Sequence, residues 1–260
     1  MKYIYLLGLI IIANTTNAQF SGTASYNLSI PRKEMAENIN PIHALYLGGE
    51  YTLPTRRSNI SVGINTGLGT YANLSKETTF SFNNNNPTTT DVHYTSNVFS
   101  SSATVKIDIT KQFLIIPFAK IEGGVQKFYS TIRIDNPNDL DGCKPLERKS
   151  ILKDATAFYA VGGGLKIDMN SFSNQISRNK NFIEISVSAT NGGQLDYINT
   201  KELKDPHEMD EEMPMPEKGR PLNLKFINVN SNIIHEHKVA QVYTSQLRLI
   251  DIRISYRISF

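Results

Sequence analysis

Three groups of residues in this 260-residue chain have side chains that could do chemistry. The densest lies between His207 and Glu217, where His207, Met209, Met213 and Met215 stand among Glu208, Asp210, Glu211 and Glu212, and His235 and His237 follow. Imidazole, carboxylate and thioether groups all bind metals, and thioethers favour copper(I). The spacing matches no defined site, and Pro214 and Pro216 favour extended coil, so the plain alternative is a solvated acidic loop. A calcium loop would need a glycine and a ligand order that are missing. The second group is histidine beside hydroxyls: His93 with Thr95 and Ser96, and His43 alone. A base next to a hydroxyl is the start of nucleophilic catalysis, but nothing here completes a triad.

The third group is spread along the chain. Glu50, Lys106, Asp108, Lys120, Glu122, Lys166, Asp168, Glu184, Asp251, Arg253 and Arg257 each sit between apolar residues, at alternate positions. Alternation means a strand with one apolar and one polar face. Six acids against five bases, all on polar faces, favour a paired network over an ion-selective pore, which would show one dominant sign.

The elements that must position these charges are strands of period two. Phe20–Ile30, His43–Leu53, Asn59–Tyr71, a segment ending near Ile109, a segment beginning at Phe113, Ala157–Met169, a segment beginning at Ile183, and Ile250–Phe260 all alternate. Eight such segments read as an all-β, antiparallel up-and-down transmembrane barrel. The connections are short and long in turn. Pro54–Arg57, a few residues around Lys111, and Asn170–Lys180 are the shorter set; Pro31–Ile42, Ala72–Asp91, Ser130–Ala155 and Asn199–Lys238 are the longer. Short periplasmic turns and long extracellular loops follow that scheme. Leu222, Leu224 and Phe226 also alternate. One more spanning strand would break the even count, so they read as a hairpin arm in the fourth loop, with a ten-strand barrel as the alternative. The Asn-rich run Phe80–Pro87 and the single cysteine, Cys143, fall in loops.

The ends bound the location. Met1-Lys2, the apolar run Tyr3–Ala13 and the small residues to Ala18 form a secretory signal, too short for a membrane-spanning helix. Residues 1–18 are therefore expected to be cleaved, leaving 19–260 as one barrel domain. With one thiol an internal disulfide is impossible, so stability must come from elsewhere, and a closed sheet with no unpaired edge could supply it. The net charge of +3 supplies no case for nucleic acid.

The last strand, with Ile254, Tyr256, Ile258 and Phe260 at alternate positions and an aromatic terminus, resembles the signal read by barrel-assembly machinery, without its usual glycine. Ala18-Gln19 is similar to signal-peptide ends common in Bacteroidetes. Pro117-Phe118, Gly123-Gly124 and Gly162-Gly163-Gly164 resemble central strands of small outer-membrane barrels of the OmpA-transmembrane or OmpX-like type. That resemblance implies an outer-membrane location, contact with outer-membrane lipid and no cofactor. It implies no particular ligand. Three function classes follow: a structural or surface-interaction barrel meeting an extracellular ligand or protein through its loops, a narrow transporter or accessory barrel of a secretion or uptake system, and a lipid- or peptide-modifying enzyme. The first is the expected one.

Overall fold

The structure is a computed structural model that describes residues 19–54, 58–81, 87–110, 113–135, 147–169, 181–201, 219–227 and 234–260. Nine strands are described: β1 (Gln19–Pro31), β2 (Ile42–Pro54), β3 (Asn59–Ser81), β4 (Pro87–Asp108), β5 (Ile115–Ile134), β6 (Glu147–Asp168), β7 (Asn181–Ile198), β8 (Arg220–Ile227) and β9 (Ile234–Ser259). They pair in the order β1-β2-β3-β4-β5-β6-β7-β9, all antiparallel, and β1 pairs back onto β9. The ring of eight is closed and has no free edge along it. Within the ring each strand has a partner on both sides, so its backbone groups are paired without an exposed edge.

The alternation of the sequence sets the register. On β1, Ser21, Thr23, Asn27 and Ser29 are buried inside, while Phe20, Tyr26 and Ile30 are exposed outside. A slip of one residue would exchange the two faces. The pairing Ser21↔Ser259 through Pro31↔Leu249 closes the barrel in phase.

Two expectations change. Two of the longer connections, Ala72–Asp91 and Ser130–Ala155, are more than half strand, and the fourth holds strand as well. β3 continues to Ser81 and β4 starts at Pro87, β5 reaches Ile134 and β6 starts at Glu147, and β9 begins at Ile234 instead of after Lys238. The paired ladder continues past the apolar belt in β3–β4 and β5–β6. The first connection holds a short helix, α1 (Glu34–Asn38), which carries Met35 into the barrel mouth. Arg220–Ile227 forms the hairpin arm: β8 pairs only with β9, from Arg220↔Val242 to Ile227↔Ile234. The closed barrel thus has eight strands, and the described residues contain no second extra spanning strand of the kind a ten-strand ring would need.

Candidate functional site

The barrel interior has two storeys, built by the same strands. In the storey nearer the chain termini, five carboxylates and five cations are buried: Glu50, Asp108, Glu122, Glu184 and Asp251 against Lys106, Lys120, Lys166, Arg253 and Arg257. The Lys106 Nζ, from β4, lies 2.5 Å from Glu50 Oε1 on β2 and 2.6 Å from Glu184 Oε2 on β7. Arg257 on β9 bridges the same two acids from the other side, Nη1 at 3.1 Å from Glu50 Oε2 and 3.4 Å from Glu184 Oε1. It also donates to Thr52 Oγ1 at 2.6 Å and Ser21 Oγ at 3.0 Å. Lys166 Nζ donates to both oxygens of Asp108, at 2.8 and 2.9 Å, and Asn59 donates to Asp108 as well. Buried charges survive when paired and hydrogen-bonded, and every charge of this set has an ionic partner, although Glu50 Oε2 meets Arg257 without a hydrogen bond. Asp168 lies on the inward parity of β6 but is half-buried at its end, two residues past Lys166.

A second set lies one level up. Arg253 Nη1 is 3.3 Å from Glu122 Oε2, and Lys120 Nζ is 3.9 Å from the same oxygen. Ser102 donates to Glu122 Oε1 at 2.5 Å. Asp251 accepts from Asn27 Nδ2 at 3.1 Å and from the hydroxyls of Ser29 and Thr190. The Arg253 guanidinium stands 4.5 Å from the centroid of the Tyr46 ring, a cation–π contact. That ring has its place because residue 67 is glycine: a Cβ there would meet Tyr46 Cδ1 at 2.5 Å. What remains between the two sets is a cavity of about 20 Å³ lined by Thr23, Glu50, Asn65, Lys106, Lys120 and Arg253 among others. That is the room of about one water. Around it the buried charges balance, five carboxylates against five cations.

The upper storey is apolar. Met35 and Ile39 from the α1 segment pack with Ile42, Tyr71, Val98, Phe128, Leu195, Tyr197, Tyr243, Leu247 and Leu249. The helix is held there by polar contacts at its ends. Thr200 N–H donates to Asn38 O at 2.9 Å, Lys201 Nζ donates to Ala36 O at 2.6 Å, and Asn38 Nδ2 donates to Tyr197 Oη at 3.3 Å. Above this, Val92, Tyr94, Ile132 and Ile134 form a second cluster onto which Leu222 of the β8 arm packs. Reading the sequence for strands whose apolar side faces outward missed both clusters. Met35, Ile39, Ile42, Ile132 and Ile134 fall in segments that read as loops, while Tyr71, Val98 and Phe128 fall outside them; the available signal is that the alternation continues there in the opposite sense.

The outside changes at the same level. On β5, Val125 is exposed and Gln126 buried; one step on, Lys127 is exposed and Phe128 buried. On β4, Phe99 outside and Ser100 inside give way to Asn97 outside and Val98 inside. Along β9, Ile250 outside and Asp251 inside give way to Gln246 outside and Leu247 inside. These three strands keep their parity while the chemistry of the two faces exchanges; in β7 a register shift between Asn191 and Gln194 resets it, so that Glu184 to Thr190 turn their even-numbered residues inward and Leu195 and Tyr197 follow above.

The remaining candidates separate. His43 lies on the outer face at this boundary, its Nδ1 2.6 Å from Tyr26 Oη. His93 is on the outer face above it, with Nε2 2.9 Å from Asp135 Oδ2. Ser96 is buried on the opposite face, bonded to Ser130, so the strand parity holds His93 and Ser96 apart. Partial burial pushes the Asp135 carboxyl upward, but the His93 hydrogen bond and the charges of Arg133 and His93 outweigh it and hold it below the ordinary carboxylate range. His207, Met209, Met213 and Met215 lie outside the described residues, as do residues 1–18 and Cys143. His235 and His237 fall in β9, opposite Phe226 and Leu224 of the arm. Among the described residues no group of three or more His, Cys, Asp or Glu side chains could hold a metal. Ile254, Tyr256, Ile258 and Phe260 face outward, and Phe260 stacks on Phe20 with centroids 6.4 Å apart.

No family model matches the chain, and no curated protein matches it by sequence. Among solved structures it is similar to Neisserial surface protein A, at 9% identity and a TM-score of 0.34, over 94% of this chain and 97% of that one. It is also similar to the translocator domain of the autotransporter NalP from Neisseria meningitidis, at 7% identity and a TM-score of 0.26, over 100% of this chain and 94% of that one.

Proposed function

We propose that this chain is a sealed outer-membrane barrel with a structural or surface-interaction role, which presents its hairpin extensions to the cell exterior. The observation that carries this reading is the exchange of faces. A wall that is apolar outside and charged inside suits hydrocarbon; a wall that is polar outside and apolar inside suits water. Both occur on single uninterrupted strands, so the solvent around the barrel must change along its length. On β4 the outer face from Phe99 to Ile107 is apolar except for Ser101, which matches the ~9–11 residues a tilted strand needs to cross a bilayer. Both termini then lie on the periplasmic side, with β3–β4, β5–β6 and β8–β9 projecting outward.

In this reading residues 1–18 are the export signal, Ile254, Tyr256, Ile258 and Phe260 present the strand that the assembly machinery receives, and no cofactor takes part. The paired lumen and the apolar plug support a barrel that does not conduct. The test is refolding of the mature chain into mild detergent and vesicles. The folded form should shift on boiling, and planar bilayers should show no steady conductance. Solubility without detergent, or a stable open channel, would overturn the reading.

A further inference from the structure

Directly above the apolar belt, the outer face of β4, β5 and β6 becomes basic. The cross-strand rows run Phe99–Lys127–Ala155, then Asn97–Tyr129–Lys153, then Thr95–Thr131–Ser150, then His93–Arg133–Arg148. Below them the same face carries Ser101–Val125–Ala157 and Ala103–Gly123–Tyr159. Within a few rows the surface passes from aliphatic to four cations, with Tyr129 between. The top rows form an open cavity of about 530 Å³ lined by Asn73, His93, Thr95, Thr131, Arg133, Asp135 and Arg148.

Arg133 and Arg148 are direct cross-strand partners. Like charges so placed repel, which a fold tolerates at a cost unless an anion sits between them. Asp135, with its Oδ1 2.8 Å from Arg133 Nε, supplies one negative charge, and the exposed Asp91 stands near the edge. Against them stand Lys127, Lys153, Arg133 and Arg148, so the patch keeps a positive excess. Guanidinium forks match phosphate oxygens in pairs, and lysine stems can lie along apolar surface with their ammonium groups at the headgroup level.

We propose that this strip seats the phosphate groups of an outer-leaflet glycolipid, with Arg133 and Arg148 at the top, Lys153 and Lys127 nearer the acyl chains, and the aliphatic rows below receiving those chains. The occupant is a lipid because the arginine row leads, across one row of hydroxyls, to lysine rows that border the apolar belt directly. A free anion would make no use of that continuity. The inference rests on the membrane placement proposed above.

The experiment uses the full mature chain refolded in detergent, with native mass spectrometry after addition of diphosphoryl lipid A. The wild type should retain the lipid, and R133A/R148A should retain it at least tenfold more weakly, with K127A/K153A intermediate. Heat modifiability of each variant confirms that it is folded. Lipid A stripped of its phosphates should bind the wild type no better than diphosphoryl lipid A binds R133A/R148A, and millimolar inorganic phosphate should not displace diphosphoryl lipid A. Equal retention by wild type and R133A/R148A, or by the phosphorylated and stripped lipids, overturns the proposal, as does full displacement by inorganic phosphate. If the wild-type chain stays soluble without detergent and shows no heat shift, the membrane placement itself has failed, which is a different result.

Discussion

The lower and upper storeys of this barrel are made by the same strands and held together by opposite means. Below, Glu50, Lys106, Glu184 and Arg257 form a closed ring of charge across β2, β4, β7 and β9. Above, Phe128, Leu195, Tyr197 and Leu247 pack with almost no exposure. In hydrocarbon there is no gain from hiding apolar surface inside, since the outside is equally apolar; the interior can be polar if every charge is answered. In water the ordinary hydrophobic effect returns and the interior must be apolar. The difference teaches that the interior of a barrel responds to what surrounds its wall.

The sharpest test of the lower storey is to remove its shared cation. Lys106→Met leaves Glu50 and Glu184 with only Arg257 between them, and should cost about 3–5 kcal/mol. The readout is the urea midpoint at which the heat-modifiable band is lost; tyrosine fluorescence supplies a second probe, since the chain has no tryptophan. A change under about 1 kcal/mol would mean water reaches these charges and the lumen is not sealed.

In the upper storey, Leu247→Ala removes a fully buried side chain and should cost about 2–5 kcal/mol. Its effect should stay local: amide exchange should rise in β9 above Ile250 and in the α1 segment, while the amides of Ile252 to Ile258 stay protected. Uniform exchange along β9 would show that the two storeys unfold as one unit.

Outside the wall, Ile185→Arg should cost ~2–4 kcal/mol in a bilayer, while Gln246→Arg, on the outer face of the upper storey, should change stability by no more than ~0.5 kcal/mol. Unfolding in vesicles checks both, and equal costs would erase the boundary drawn between them. At the boundary itself, Gly67→Ala forces the Tyr46 ring from its seat under Arg253, and overpacking of this kind costs about 1–3 kcal/mol.

The smallest effect belongs to the rim. The Asp135 carboxyl is held below its ordinary range in the folded chain, so its contribution is present above the ordinary carboxylate pKa and fades as pH falls through the lowered folded value. Asp135→Asn should remove less than ~1 kcal/mol at neutral pH and flatten the acid side of the stability profile. A mutant with an unchanged acid limb would show that the contact with Arg133 and His93 is not maintained in solution.

The period-two strands and the inward parity of ten buried charges are legible in the sequence, because a strand's faces follow from counting by two; the count of about eight left a ten-strand ring open until the pairing of β8 with β9 alone closed the question. The sequence also marked Leu222–Phe226 as an arm, because an odd spanning strand would place the two termini on opposite sides. Which charge meets which was not legible: Lys106 and Glu184 are far apart in the chain, and only the closed ring brings β4 and β7 to face each other across the lumen. Nor was the upper storey. Phe128, Val98 and Leu247 obey the same alternation as the residues below them, but the phase of the chemistry is reversed, and an alternating pattern does not say which face is inside. The fold fixes it by holding one parity along β4, β5 and β9, and by a register shift between Asn191 and Gln194 that turns Leu195 and Tyr197 of β7 inward. Once Gln126 points inward, Phe128 must as well, and the apolar core above the charges follows from the geometry of the strand.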